Sequence, residues 1–267
     1  MLVALTALAL AAPNSLSPNN GPELALTAEL GALAPLHHTI QFGQQGSTID
    51  YVKEGGQDNL FPFARLSAAG TFGERHTVTL LYQPLTLRSE AVFYDEERVD
   101  DVVFAAGTPV DLVYGFSFWR GSYTYDLAPD EDVTTGIGAS LQLRNATISF
   151  TSADGSQRAS YRNIGPVPVL RLHHRRPVGR RGFVAGEVDG FWAPIRYLNG
   201  GNSDVEGAIV DLSLRAGWEL RHGAETFVNL RWLGGGAVGT SNNPTTGDGY
   251  NRNWLHFATL SLGVRVR

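Results

Sequence analysis

The chain has 267 residues, of which 43% are hydrophobic and 18% charged, and its net charge of −5 comes from acidic and basic side chains interspersed along its length. With no basic stripe, nucleic acid is not expected as a partner. With no cysteine, disulfides, thiolate nucleophiles and thiolate-held metals are all excluded, and a chain folding beyond an oxidising compartment has no thiol to mispair.

Residues 1–12 read as a signal-peptide-like segment, because LVALTALALAA is too short to cross a bilayer as a helix and has the length of a secretory apolar region. Residues 13–36 read as a flexible linker that opens with PNSLSPNNGP. From 37 to 267 the dominant period is two. Strands are expected near 38–52, 60–72, 76–93, 112–127, 135–151, 160–175, 182–195, 204–221, 225–238 and 252–267. That is about ten strands, within a range of eight to twelve. In AIVDLSLRAGWELR, Val210, Leu212, Leu214, Ala216, Trp218 and Leu220 make one wholly apolar face, while Asp211, Arg215, Glu219 and Arg221 put four charges on the other.

The connections fall into two alternating sets. Short ones lie at Gly73–Arg75, Ala128–Thr134, Arg176–Arg181 and His222–Ala224; longer polar ones include Tyr94–Asp111 and GTSNNPTTGDGYNRN. Strands this long, apolar on one face and polar on the other, fit tilted crossings of a membrane by a closed sheet, since backbone groups in hydrocarbon must all be paired. Phe61, Phe63, Phe93, Tyr94, Phe150, Tyr161, Phe191, Trp192, Tyr197, Tyr250 and Trp254 are expected in an outer aromatic girdle. Phe72, Tyr123, Tyr125, Phe183, Trp218 and Phe227 are expected near the other rim. The competing soluble reading is a lipocalin-like ligand-binding barrel with its apolar face inward.

With WRGSYTYDL, GIGASLQLRNATISF, the ending NRNWLHFATLSLGVRVR and the alternating loop lengths, the chain resembles bacterial outer-membrane β-barrel proteins over residues 36–267. More narrowly it is similar to an uncharacterised proteobacterial group of such barrels. The group's usual terminal aromatic is replaced here by Val266-Arg267. The resemblance implies an all-β, antiparallel up-and-down barrel in the outer membrane of a Gram-negative bacterium, with short periplasmic turns and longer extracellular loops. It also implies a monomer without cofactors. Its partners would be membrane lipid and lipopolysaccharide, the barrel-assembly machinery, and small solutes if the lumen conducts.

Alternation assigns Arg120, Asp126, Arg144, Arg171, His173, Glu187, Asp189, Asp211, Arg215, Glu219, Asn229 and Arg231 to the lumen. A barrel of this size is filled by side chains, so these charges are expected to pair into a network or a narrow constriction. Counting from the turns places Arg171 opposite Glu187, Arg215 near Arg231, and Glu219 near Asn229. Pro166 and Pro168 predict a bulge or loosened pairing, and a parity break over 144–148 predicts another bulge. His37, His38, His76, His173, His174 and His222 map to the periplasmic end, leaving His256 nearest the outside. No catalytic, cofactor or metal site is assigned. The expectation is a non-enzymatic envelope or surface barrel, or one passing small solutes; the alternative is an outer-membrane hydrolase using His256 and loop acids at the extracellular rim.

Overall fold

The computed structural model describes residues 22–128, 133–194, 204–221, 223–241 and 247–267. The signal-peptide-like segment, Tyr197 and His222 lie outside them. The strands are β1 (Glu23–Phe42), β2 (Ile49–Asp50), β3 (Phe61–Phe72), β4 (His76–Gln83), β5 (Thr86–Val92), β6 (Glu97–Val99) and β7 (Val102–Phe104). There follow β8 (Pro109–Asp126), β9 (Thr134–Ser152), β10 (Arg158–Val178), β11 (Gly182–Pro194), β12 (Glu206–Glu219), β13 (Ala224–Thr240) and β14 (Tyr250–Val266). β4 and β5 both pair with β8 and form one stave, interrupted at Pro84-Leu85. Each stave runs antiparallel to its neighbours, and β1 pairs with β14 from Leu26↔Val266 to Phe42↔Asn251. The result is a closed barrel of ten staves.

Closure with an even stave number brings Glu23 and Val266 to the rim that also carries the short turns, here the inner rim. Gly73 and Glu74 take positive φ in one of those turns, which lets a three-residue link reverse the chain between Phe72 and His76. The long connections gather at the opposite, outer rim.

The outside of the barrel is apolar. Leu214 is 61% exposed and Leu262 69%, whereas Asp211, one step out of phase, is 3% exposed. Leu24, Leu66, Leu80, Leu141, Leu172 and Leu230 extend this exposed belt around the wall. Of the aromatic positions, Tyr123, Trp192 and Trp218 are exposed on the same surface, and Tyr125 and Trp254 are partly exposed on it.

Several expectations are corrected. β1 begins at Glu23, so residues 23–36 are strand and not linker. Its alternation is faint because inward Ala25, Thr27 and Gly31 differ little from outward Ala28, Ala32 and Ala34. A bulge between Pro35 and His37 then swaps the faces, turning His38, Ile40 and Phe42 inward. His37 and His38 consequently lie in the outer half and not at the inner end. The ladders β8–β9 and β9–β10 keep one register throughout, so no bulge interrupts them, whereas the β10–β11 ladder ends at Leu170↔Gly190, short of Pro168 and Pro166, which is the loosened pairing expected there. The apparent parity break at 144–148 arises because the inward Ala146, Ile148 and Phe150 are apolar.

Phe63, Phe93, Phe150, Phe183 and Phe227 point inward rather than into girdles. At the inner end Phe183 and Phe227 pack with Ala185, under the guanidiniums of Arg175 (3.7 Å from the Phe183 ring) and Arg215 (5.2 Å from Phe227). Gly263 makes room for Phe227, because a methyl there would overlap the ring. Gly263→Ala is therefore expected to cost about 1–3 kcal/mol, read as a shift of the urea midpoint of the compact band in detergent. An equal loss in a Phe227→Leu background would refute the steric explanation.

Candidate functional site

The interior is built in layers. Midway down the lumen a belt of ion pairs joins β1, β3, β8, β10, β11, β12 and β13. Arg120, fully buried, sets one Nη1 between Asp189 (2.8 Å) and Asp211 (2.9 Å), which face each other across the β11–β12 ladder. Its Nε and Nη2 donate to Gln142 at 3.0 and 2.7 Å. Arg231 forks onto both oxygens of Asp211 and donates to Gln83 at 2.7 Å. Arg171 reaches Glu187 and Asp189, each at 3.0 Å, and Arg215 reaches Glu187 at 3.1 Å and Glu29 at 3.4 Å. Arg65 lies between Glu29 (3.7 Å) and Glu187 (3.8 Å). Glu29 also accepts from Asn229 at 2.7 Å and Ser261 at 3.1 Å.

This belt ties opposite walls of the barrel together, with carboxylates matched to guanidiniums as burial demands. Nearer the inner rim a second group joins Arg175 to Glu219 and Glu225 at 3.0 Å each, and Arg267 to Glu225 at 2.7 Å. Glu219 is thus a half-exposed rim partner of Arg175 and not a member of the belt.

The outer half of the lumen is apolar, which corrects the expectation of a polar interior throughout. Leu112, Tyr114, Phe116, Phe118, Ile148 and Phe150 fill it from the wall. Segment 43–60 fills it further, because β3 is too short to reach the outer ends of β1 and β5. β2 pairs with β1 at Thr39↔Asp50 and Ile40↔Ile49, and Ser89 on β5 donates to the Gly55 carbonyl at 2.5 Å. Tyr51 stacks on His38 at 4.5 Å. The β6–β7 hairpin lies over the mouth: Asp100 donates its N–H to the Phe42 carbonyl at 3.0 Å, Ser47 donates to the Arg98 carbonyl at 2.8 Å, and Gln157 donates to the Val103 carbonyl. Phe93, Val99 and Phe104 point from this cap into the apolar fill.

Burial, with Asp101 and Asp248 close by, pushes the Asp100 carboxyl up from the usual carboxylate range. A carboxyl raised in the folded state contributes stability at low pH and loses it as pH rises through its folded value. The cap is accordingly expected to hold more tightly under mild acid than at pH 8, and Asp100→Asn should remove that difference. Amide hydrogen exchange at Val99–Val102, equal at both pH values after correction for intrinsic rates, would contradict this.

The positions named from sequence sort as follows. Arg120, Arg171, Glu187, Asp189, Asp211, Arg215 and Arg231 meet in the belt, and Arg144 stands above it without a carboxylate. The expected cross-strand partners shift by an even number of residues. Arg171 lies opposite Asp189, two from Glu187; Arg215 lies opposite Asn229, two from Arg231; and Glu219 lies opposite Glu225, four from Asn229, because the centres of the two hairpin turns lie elsewhere than expected. An even slip leaves every side chain on its original face. Glu29 and Arg65 also belong to the belt, and the faint alternation of β1 does not mark Glu29 from sequence as a lumen residue. His256 lies on the outward face, stacked on Trp232 at 5.3 Å and 5.8 Å from His37. Among the described residues no cluster of three or more His, Asp or Glu is arranged to hold a metal.

No family model and no curated protein matches the chain. Solved structures do. The outer membrane protease OmpT from Escherichia coli superposes with a TM-score of 0.56 at 11% identity, covering 95% of this chain and 99% of that one. The fold is that of a bacterial outer-membrane β-barrel. The transport unit of the autotransporter AIDA-I from Escherichia coli (TM-score 0.44, 8% identity, 98% and 96% covered) and Ail of Yersinia pestis (0.37, 8%, 91% and 99%) are similar at lower scores. At such identities the barrel architecture is what is shared.

Proposed function

We propose that the protein is a non-enzymatic barrel of the Gram-negative outer membrane, closed to through-passage, with a role at the cell surface or in envelope integrity. One observation carries this reading: the lumen is filled along its length, by the apolar plug at the outer mouth and by the ion-pair belt beneath it. A solute would have to displace buried aromatic side chains and then break buried guanidinium–carboxylate pairs. The apolar belt and its flanking aromatics favour lipid around the wall. In this reading the inner rim lies in the periplasm, and lipid, lipopolysaccharide and the assembly machinery are the partners of a monomer.

The superposition with OmpT favours a second reading as a rim hydrolase. Against it stand the placement of His256 on the lipid-facing wall and the full burial of His38, whose Nδ1 is held by the Gln57 amide oxygen at 2.8 Å, since a general base needs a route to substrate as well as an orienting partner.

The test is conductance in planar bilayers. The intact chain is expected to give no steady channels, whereas a variant with residues 47–58 replaced by a short Gly/Ser link should flicker open. Steady channels from the intact chain would refute closure. Peptide or lipid cleavage that disappears on His38→Ala or His256→Ala would favour the hydrolase.

A further inference from the structure

The wall is not uniformly sealed. β10 runs from Arg158 to Val178 and β11 from Gly182 to Pro194, yet their ladder stops at Leu170↔Gly190. Alternate residues of a strand turn their N–H and C=O groups to opposite neighbours. The ladder from β10 to β9 is unbroken from Arg158↔Thr151 to Arg175↔Thr134, so the donors missing at Pro166 and Pro168 are those that would face β11. Continuing the β10–β11 register places Pro168 opposite Trp192 and Pro166 opposite Pro194. The first of these rungs loses one of its two bonds. In the second neither residue can donate, so the rung cannot form from either side. The seam lies on the outer half of the wall, flanked on its lipid-facing side by Leu170 and Trp192, each 64% exposed.

Inside the barrel at the same level stands Arg144. In the β9–β10 ladder its partner is Gly165, which adds no side chain beside it. No carboxylate reaches the guanidinium among the described residues; its Nε is buried without a hydrogen bond, and the Phe116 ring lies 5.9 Å away. The arginines of the belt, by contrast, all have carboxylates. A cation held among aromatic rings needs an anion, and unpaired backbone in hydrocarbon needs a polar companion.

We propose that the seam between β10 and β11 is a lateral portal through which an anionic amphiphile from the outer leaflet presents its headgroup to Arg144 while its alkyl chain stays in hydrocarbon. The headgroup is an oxyanion, phosphate or carboxylate, which a guanidinium binds in bidentate fashion. The inference concerns the wall and not the mouth, so it stands whichever way the conductance measurement falls.

The test titrates dodecyl phosphate and dodecanoate into the full chain in nonionic micelles, with dodecanol as the uncharged control. Saturable binding of at least one anion, no competition by dodecanol, and about tenfold or greater weakening in Arg144→Gln are expected. Preference for dodecyl phosphate points to a phosphorylated lipid as the source, and preference for dodecanoate to a free fatty acid. Pro168→Cys with Trp192→Cys, joined by a short bis-maleimide in a chain with no cysteine of its own, should slow association about tenfold or more. If Arg144→Gln does not migrate as a folded barrel, Gly165→Leu, which crowds the guanidinium, is held to the same threshold. Absence of binding, unweakened binding in the variant, or an unchanged association rate after cross-linking would each overturn the proposal.

Discussion

Arg120→Met is expected to lower the stability of the folded barrel by about 3–5 kcal/mol, the loss typical when one member of a buried ion-pair group is removed. The reason is local. Asp189 and Asp211 are cross-strand neighbours, and the Arg120 Nη1 sits between their Oδ2 atoms at 2.8 and 2.9 Å. Without it Asp211 keeps Arg231 and Asp189 keeps Arg171, but two carboxylates then face each other in a sealed interior. Adding Asp189→Asn removes that repulsion and should recover a large part of the loss, although the double variant has fewer ion pairs than Arg120→Met alone. Urea unfolding in detergent, followed by the heat-modifiable shift in migration, measures both. Additive losses would mean that the belt is a set of independent pairs and not a coupled group.

Leu214→Arg should cost about 2–4 kcal/mol near the middle of the bilayer and slow insertion into vesicles. The comparison is Ser213→Ala, one residue away on the opposite face, which gives up only the 2.8 Å hydrogen bond to Asn229 and should cost about 1 kcal/mol. In a soluble barrel with its apolar face inward the exposed position would be the tolerant one. The inversion of this usual order, at adjacent residues of a single strand, isolates the direction in which the solvent lies. Tolerance of arginine at 214 in lipid would refute the placement of hydrocarbon outside the wall.

Period-two alternation carried most of the architecture. In β12 and the inner half of β14 the two faces differ so sharply in polarity that stave positions and orientations could be read directly. It failed where the inward face turns apolar. In VDLVYGFSF the inward set is Val110, Leu112, Tyr114, Phe116 and Phe118, which the plug covers, while Asp111 and Ser117 lie on the other face, so the polarity there does not tell lumen from lipid. β1 was obscured for a related reason, its alanines being equally at home on either face. Losing β1 meant losing Glu29, the acceptor around which Arg65, Arg215, Asn229 and Ser261 gather. No local signal could have supplied the plug, because segment 43–60 is placed by the shortness of β3, a property of the neighbouring ladder.

Glu29 lies near the beginning of the sheet and its partner Ser261 near the end, 232 positions apart. The last charge matching inside the barrel is therefore made when the two outermost hairpin edges zip together. Before that moment an inserting chain would leave Arg65 with Glu29 alone and Arg215 with Glu187 alone, each lacking its second carboxylate in a low-dielectric setting, which disfavours any half-made, open-edged sheet from dwelling in lipid. Joining the ends and cutting elsewhere would move this switch to another pair of edges. Such permutants, compared for how long the open form persists, would time the seal by electrostatics as much as by backbone pairing.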